Sequence, residues 1–78
     1  MSFHYQDRRL QVEDIDLATV AHAHGTPCYV YSRAIIESNY RAYNAAFGQR
    51  RHQICYAVKA NGNLAILDVL ARLGSAFD

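Results

Sequence analysis

The order of apolar runs in this chain predicts an α/β fold built on a parallel sheet. Three observations carry that prediction. The run Ile54 to Val58, reading ICYAV, is apolar without polar alternation, as in strands covered on both faces of a parallel sheet. Stretches with helical spacing stand on either side of it, Ile36 to Phe47 before and Leu64 to Leu73 after. Ser75 to Asp78 then start a second strand after the second helix, so strand, helix and strand alternate, and right-handed crossovers would lay the helices on one side of the sheet.

Taken in order, the segment Phe3 to Glu13 mixes aromatic and charged residues without a helical period, which predicts short extended pieces around Phe3 to Tyr5 and Leu10 to Val12. Asp16 is placed to N-cap a short helix whose Leu17, Val20 and Ala21 share a face, with Gly25 at its end. Thr26 and Pro27 turn the chain. Cys28, Tyr29, Val30 and Tyr31 are strong strand formers, and Ser32 offers its hydroxyl as the next N-cap. From Arg33 to Phe47 the residues Ile36, Tyr40, Tyr43 and Phe47 form a one-sided stripe, and Gly48 fits the position after the helix. A polar loop, Gln49 to Gln53, leads into the Ile54 to Val58 strand. Asn61, Gly62 and Asn63 then suit a turn and cap. The following helix carries Leu64, Leu67, Leu70 and Ala71 on one stripe with Ile66 and Leu73 beside it, and Gly74 ends it. So wide an apolar arc expects neighbours on two sides, as in the outer ring of a barrel.

Composition excludes several functions. Eight Lys plus Arg against seven Asp plus Glu leave a formal charge of +1, too even a balance to draw in nucleic acid or anionic lipid. No apolar stretch approaches the roughly 20 residues of a membrane span, and the start MSFHYQDRR lacks the apolar core of a secretory signal, so a soluble cytoplasmic protein is expected. Cys28 and Cys55 lie in apolar runs without disulfide or metal-ligand spacing and read as buried thiols. His22 and His24 are two apart on a helix and point away from each other, while His4 and His52 have no ligand-spaced companion, so no metal is expected. The tyrosines follow helix and strand packing positions better than a base-stacking surface. Gly62 is a lone glycine, without the spacing of a phosphate loop.

Lys59, where the apolar run ends, is the candidate for chemistry. One reading is a lysine that snorkels, its stem on apolar surface and its ammonium in water. The other is a nucleophilic amine, partly desolvated so that a neutral fraction exists to condense with a carbonyl. If Lys59 points to one side of the strand, Ala57 and Cys55 share that side, and Tyr56 and Val58 face the helices.

The string YAVKANGNLAILDVLARLGSAFD, with GTPCYVYS upstream, resembles the pyridoxal-phosphate decarboxylases that have an alanine-racemase-type barrel. The opening FHYQDRRLQVEDIDLATVA is similar to the lead-in of their bacterial diaminopimelate-decarboxylating members. The resemblance implies the first βα units of a pyridoxal-phosphate-binding TIM (β/α)8 barrel over residues 32–78. It also implies a preceding segment, residues 1–31, whose short helix and strand contribute to a C-terminal β domain. A complete barrel needs roughly 250 residues, so the chain is expected to be an N-terminal part of such an enzyme.

By the same resemblance Lys59 corresponds to the lysine that holds pyridoxal 5'-phosphate covalently. The position matching Ala57 lies against the cofactor, with plain barrel packing as the competing reading. Asp78 matches an aspartate near the site, with a carboxylate in solvent as its competitor. The implied reaction is decarboxylation of meso-2,6-diaminopimelate to L-lysine and carbon dioxide in lysine biosynthesis, by a homodimer, with the short chain alone inactive and prone to self-association. Decarboxylases of ornithine, arginine or carboxynorspermidine share the lysine block and stay open. An alanine racemase fits KANGNLAIL less well, and a non-catalytic module of the two helices is the alternative of another class.

Overall fold

Two adjacent tight turns organise the first thirty residues. In the computed structural model, which describes residues 2–78, β1 (His4–Gln6) pairs antiparallel with β2 (Arg9–Val12), and β2 with β3 (Ile15–Asp16). Gln6 faces Arg9 and Val12 faces Ile15, so each hairpin loop has two residues. Asp7 and Arg8 have φ of 52° and 67°, and Glu13 and Asp14 have φ of 52° and 63°. Positive φ at both central positions is what a type I′ turn requires, and its twist matches that of the flanking strands. The predicted extended pieces are therefore present, with a third strand added.

Asp16 ends β3 and caps α1 (Leu17–His24): its carboxylate accepts the Ala18 N–H at 2.9 Å. Gly25, with φ of 81°, stops the helix as predicted. Helix α1 packs on β2 and β3, and among the described residues of this part Val12 is the buried apolar one.

The strand predicted at Cys28 to Tyr31 is not formed. Among the described residues no ladder pairs with it, and extended backbone becomes strand only when a neighbour takes up its N–H and C=O groups. A period of two survives: Tyr29 and Tyr31 are exposed with rings stacked at 6.4 Å, and Val30 between them is half-buried. Cys28 is exposed, as is Cys55, so neither thiol is buried.

Ser32 then opens α2 (Arg33–Phe47), its Oγ accepting the Ile35 N–H at 3.1 Å. The chain divides into two compact units, Met1–Ile35 and Ile36–Asp78. On the part of α2 in the second unit the predicted stripe is only half covered: Ile36 and Tyr40 are partly buried, Tyr43 and Phe47 exposed. The helix ends at Gly48, with φ of 59°.

The second unit holds a βαβ arrangement. Strand β4 (Cys55–Tyr56) leads through α3 (Leu64–Leu73) to β5 (Ala76–Phe77), parallel to β4. Asn63 caps α3 by accepting the Ala65 N–H at 2.9 Å. Gly74, at φ of 97°, takes the left-handed conformation that lets the Ser75 N–H reach the Leu70 carbonyl. Ile66 and Leu70 are the buried residues of α3. The stripe predicted for this face is only partly covered: Leu70 is buried and Leu67 half-buried, whereas Leu64 is 82% exposed and lines an open apolar groove with Leu67, Ala71, Val58 and Phe77. A single strand pair covers only part of so wide an arc.

Candidate functional site

The parallel ladder carries on past Tyr56, where Ala57 is still extended backbone. The Ala76 N–H donates to the Ile54 carbonyl, the Asp78 N–H to Tyr56 and the Val58 N–H to Asp78, each at 2.9 Å. The hydrogen bonds thus cover the whole predicted run from Ile54 to Val58. Burial alternates along it, with Ile54, Tyr56 and Val58 partly buried and Cys55 and Ala57 exposed, which replaces the expectation of a strand covered on both faces. Val58 and Phe77 on one face line a groove with α3, and on the other Cys55 and Ala57 are exposed.

Val58 to Ala60 form a single 3-10 turn, so Lys59 sits in the middle of that turn rather than at the end of an extended strand. The Ala60 N–H donates to Ala57 at 3.0 Å and the Asn61 N–H to Val58 at 3.1 Å. Beyond the turn, Asn61 Oδ1 accepts the Asn63 N–H at 3.1 Å, closing an Asx-type loop directly before the cap of α3. Lys59 is exposed. The desolvation that a nucleophilic amine needs is not supplied by neighbours within this unit.

Ala57 and Asp78 are brought together. Cys55 pairs with Ala76 and Tyr56 with Phe77, and the bonds from Tyr56 and Val58 to Asp78 carry the register on to set Asp78 opposite Ala57. Partners in a parallel ladder point to the same face. Ala57 and Asp78 therefore share the other face, both exposed and immediately before the Lys59 turn, while Tyr56 and Phe77 share the helix face with rings edge to face at 6.5 Å. The apolar groove beside α3 lies on the helix face and is no part of the amine site.

Two features of the site escape the sequence reading. The Tyr56 hydroxyl donates to the Asn61 carbonyl at 2.9 Å, tying the strand to the loop beyond Lys59. A tyrosine closing an aliphatic run is the signal that could have found it, since a half-buried phenol needs a hydrogen-bond partner. At the opposite end of β4, His52 stacks on Phe47 at 4.9 Å and its ring nitrogens contact the Arg50 carbonyl and Asn44 Oδ1, fastening the loop after α2.

A parallel βαβ unit that presents a primary amine at the C-terminal end of its first strand defines a class, the α/β proteins whose chemistry is built at the strand ends. Comparison with known proteins names the family. Residues 33–78 match the pyridoxal-binding domain of the pyridoxal-dependent decarboxylases, and the chain belongs to that family. It is 53% identical over 77 residues to diaminopimelate decarboxylase of Pseudomonas aeruginosa, covering 99% of this chain and 19% of the relative. It is 53% identical over 77 residues to the same enzyme of Vibrio cholerae, and 46% over 76 residues to that of Haemophilus influenzae, covering 97% of this chain and 18% of the relative in each case. The chain thus spans about a fifth of the length of these relatives.

Pyridoxal phosphate is the cofactor of the family. The end of β4 fits its aldehyde: Lys59 supplies a primary amine, and the small Ala57 leaves the adjoining face open.

Proposed function

We propose that this chain is the lysine-bearing first part of a pyridoxal-phosphate-dependent decarboxylase that converts meso-2,6-diaminopimelate to L-lysine and carbon dioxide. The observation that carries the reading is the placement of Lys59 in a braced turn at the C-terminal end of a parallel strand, inside the segment that matches the pyridoxal-binding domain. The substrate is taken from the three relatives, all diaminopimelate decarboxylases, whose similarity extends through residues upstream of that domain.

In this reading Lys59 Nζ would hold the cofactor covalently. Ala57 keeps the strand surface flat enough for a planar ring, and Asp78 places a carboxylate on the same face. Bound pyridoxal phosphate supplies the electron sink for the pair of electrons left when carbon dioxide departs. Orienting the substrate and delivering the proton that replaces the carboxylate would fall to residues of the longer protein. A cytoplasmic homodimer completes the proposal.

The test uses the full-length protein. Borohydride reduction of the loaded enzyme should fix the cofactor on Lys59, and Lys59→Ala should lose the visible cofactor band and at least about a hundredfold in activity, the lower range for removing a group that acts directly in the chemistry. Carbon dioxide release should favour diaminopimelate over ornithine, arginine and carboxynorspermidine. Retention of band and activity by Lys59→Ala contradicts the lysine assignment, and a preference for another amine contradicts the substrate.

A further inference from the structure

We propose that Tyr56 is a positioning residue for Lys59, and that its hydroxyl acts as a strut holding the Lys59 turn in the orientation that receives the cofactor. The inference rests on the proposed role of Lys59 and adds a residue to it.

Three connections converge on Tyr56. Its carbonyl accepts the Asp78 N–H at 2.9 Å, which anchors it in the sheet. Its ring meets Phe77 edge to face, which fixes the direction of the side chain. Its hydroxyl then reaches past the 3-10 turn and donates to the Asn61 carbonyl at 2.9 Å, in a part-buried setting. Asn61 is the residue whose own N–H closes the turn on Val58 and whose side chain holds Asn63.

The turn bearing Lys59 is therefore held at its start by the Val58 bond to Asp78 and at its end by the Tyr56 bond to Asn61. Lys59 itself is exposed and makes no contribution to that bracing. A long, flexible amine on a loose turn would sample many orientations, and the effective concentration of the amine at a bound aldehyde falls with each orientation added. The strut limits the turn without touching the amine.

Tyr56→Phe removes the hydroxyl and keeps the ring with its edge-to-face contact to Phe77. In the full-length protein the apparent dissociation constant for pyridoxal phosphate should rise about three- to tenfold, the range for one hydrogen bond of this kind. The induced circular dichroism of the visible cofactor band should weaken, because an amine held less firmly leaves the bound ring less uniformly oriented. Tyr43→Phe, on an exposed face of α2, should change neither quantity. Wild-type affinity and ellipticity in Tyr56→Phe overturn the strut, even where borohydride still marks Lys59. Absence of borohydride labelling at Lys59 in the wild-type protein overturns the proposed function and the strut together.

Discussion

Asp16 shows how one side chain joins two elements. Its Oδ1 caps α1 through Ala18, and its Oδ2 accepts from Arg9 Nη1 on β2 at 2.8 Å. The Ala18 N–H, and after it the Arg9 hydrogen bond, hold the Asp16 carboxyl below the usual carboxylate range. A group with a lowered folded-state pKa contributes stability that is present above its unfolded value and is lost as pH falls through the folded one. Asp16→Asn keeps an oxygen for the cap and removes the charge. Exchange of the Ala18 amide should therefore be faster in Asp16→Asn than in wild type at neutral pH. The two should converge as the pH drops below the ordinary carboxylate value of 3.8. A difference that persists unchanged to low pH would show that the charge is not what Asp16 contributes. The cap was legible from sequence because Asp before Leu-Ala-Thr-Val is a local pattern. The Arg9 partner was not, because it depends on strand register set by a turn.

At the level of elements, the start of α2 is built from a contact no local pattern announces. Ser32, 4% exposed, caps Ile35 and donates its hydroxyl proton to Glu13 Oε2 at 2.6 Å; the same carboxylate oxygen accepts the Ala34 N–H at 3.4 Å. Ser32→Ala removes the cap and strips the carboxylate of its hydroxyl donor. The expected cost is roughly 1–2 kcal/mol, read as a lowered unfolding midpoint with exchange at Ile35 accelerated more than exchange in α3. Equal acceleration in both helices would mean that the bond does not act on the start of α2. Helix boundaries were readable wherever a cap and a glycine bracket the run, as with Asp16 and Gly25 or Asn63 and Gly74. The two hairpins were not, since Asp7-Arg8 and Glu13-Asp14 carry none of the Asn-Gly or Asp-Gly signature that such turns favour. The Cys28 to Tyr31 segment failed for a different reason: strand propensity reports side chains suited to a pleated, half-buried surface, and a ladder needs a second chain segment to make one.

For the whole molecule, the reading of the candidate site depends on the same distinction between local and non-local information. Lys59, Ala57 and Asp78 were singled out together, and the parallel register does set Asp78 opposite Ala57 beside the Lys59 turn. Yet Ala57, Lys59 and Asp78 are all exposed within this unit, and β4 and β5 each keep one unpaired edge in a two-stranded sheet. Among the described residues the buried apolar side chains are Val12, Ile66 and Leu70, whereas Tyr43, Phe47, Leu64 and Phe77 are exposed. A chain of this length buries only about 60% of the surface it exposes when unfolded. Unpaired edges and uncovered apolar faces both favour association. The 78-residue chain on its own should therefore sediment as a self-associated species, and it should release no carbon dioxide from diaminopimelate, because an exposed amine without the rest of a strand-end site cannot orient cofactor and substrate together. Sedimentation velocity across a concentration series, run beside a carbon dioxide assay with added pyridoxal phosphate, measures both. A folded monomer that decarboxylates diaminopimelate would show that the Lys59 turn and its two strands suffice, and would refute the view that neighbours absent from this unit complete the site.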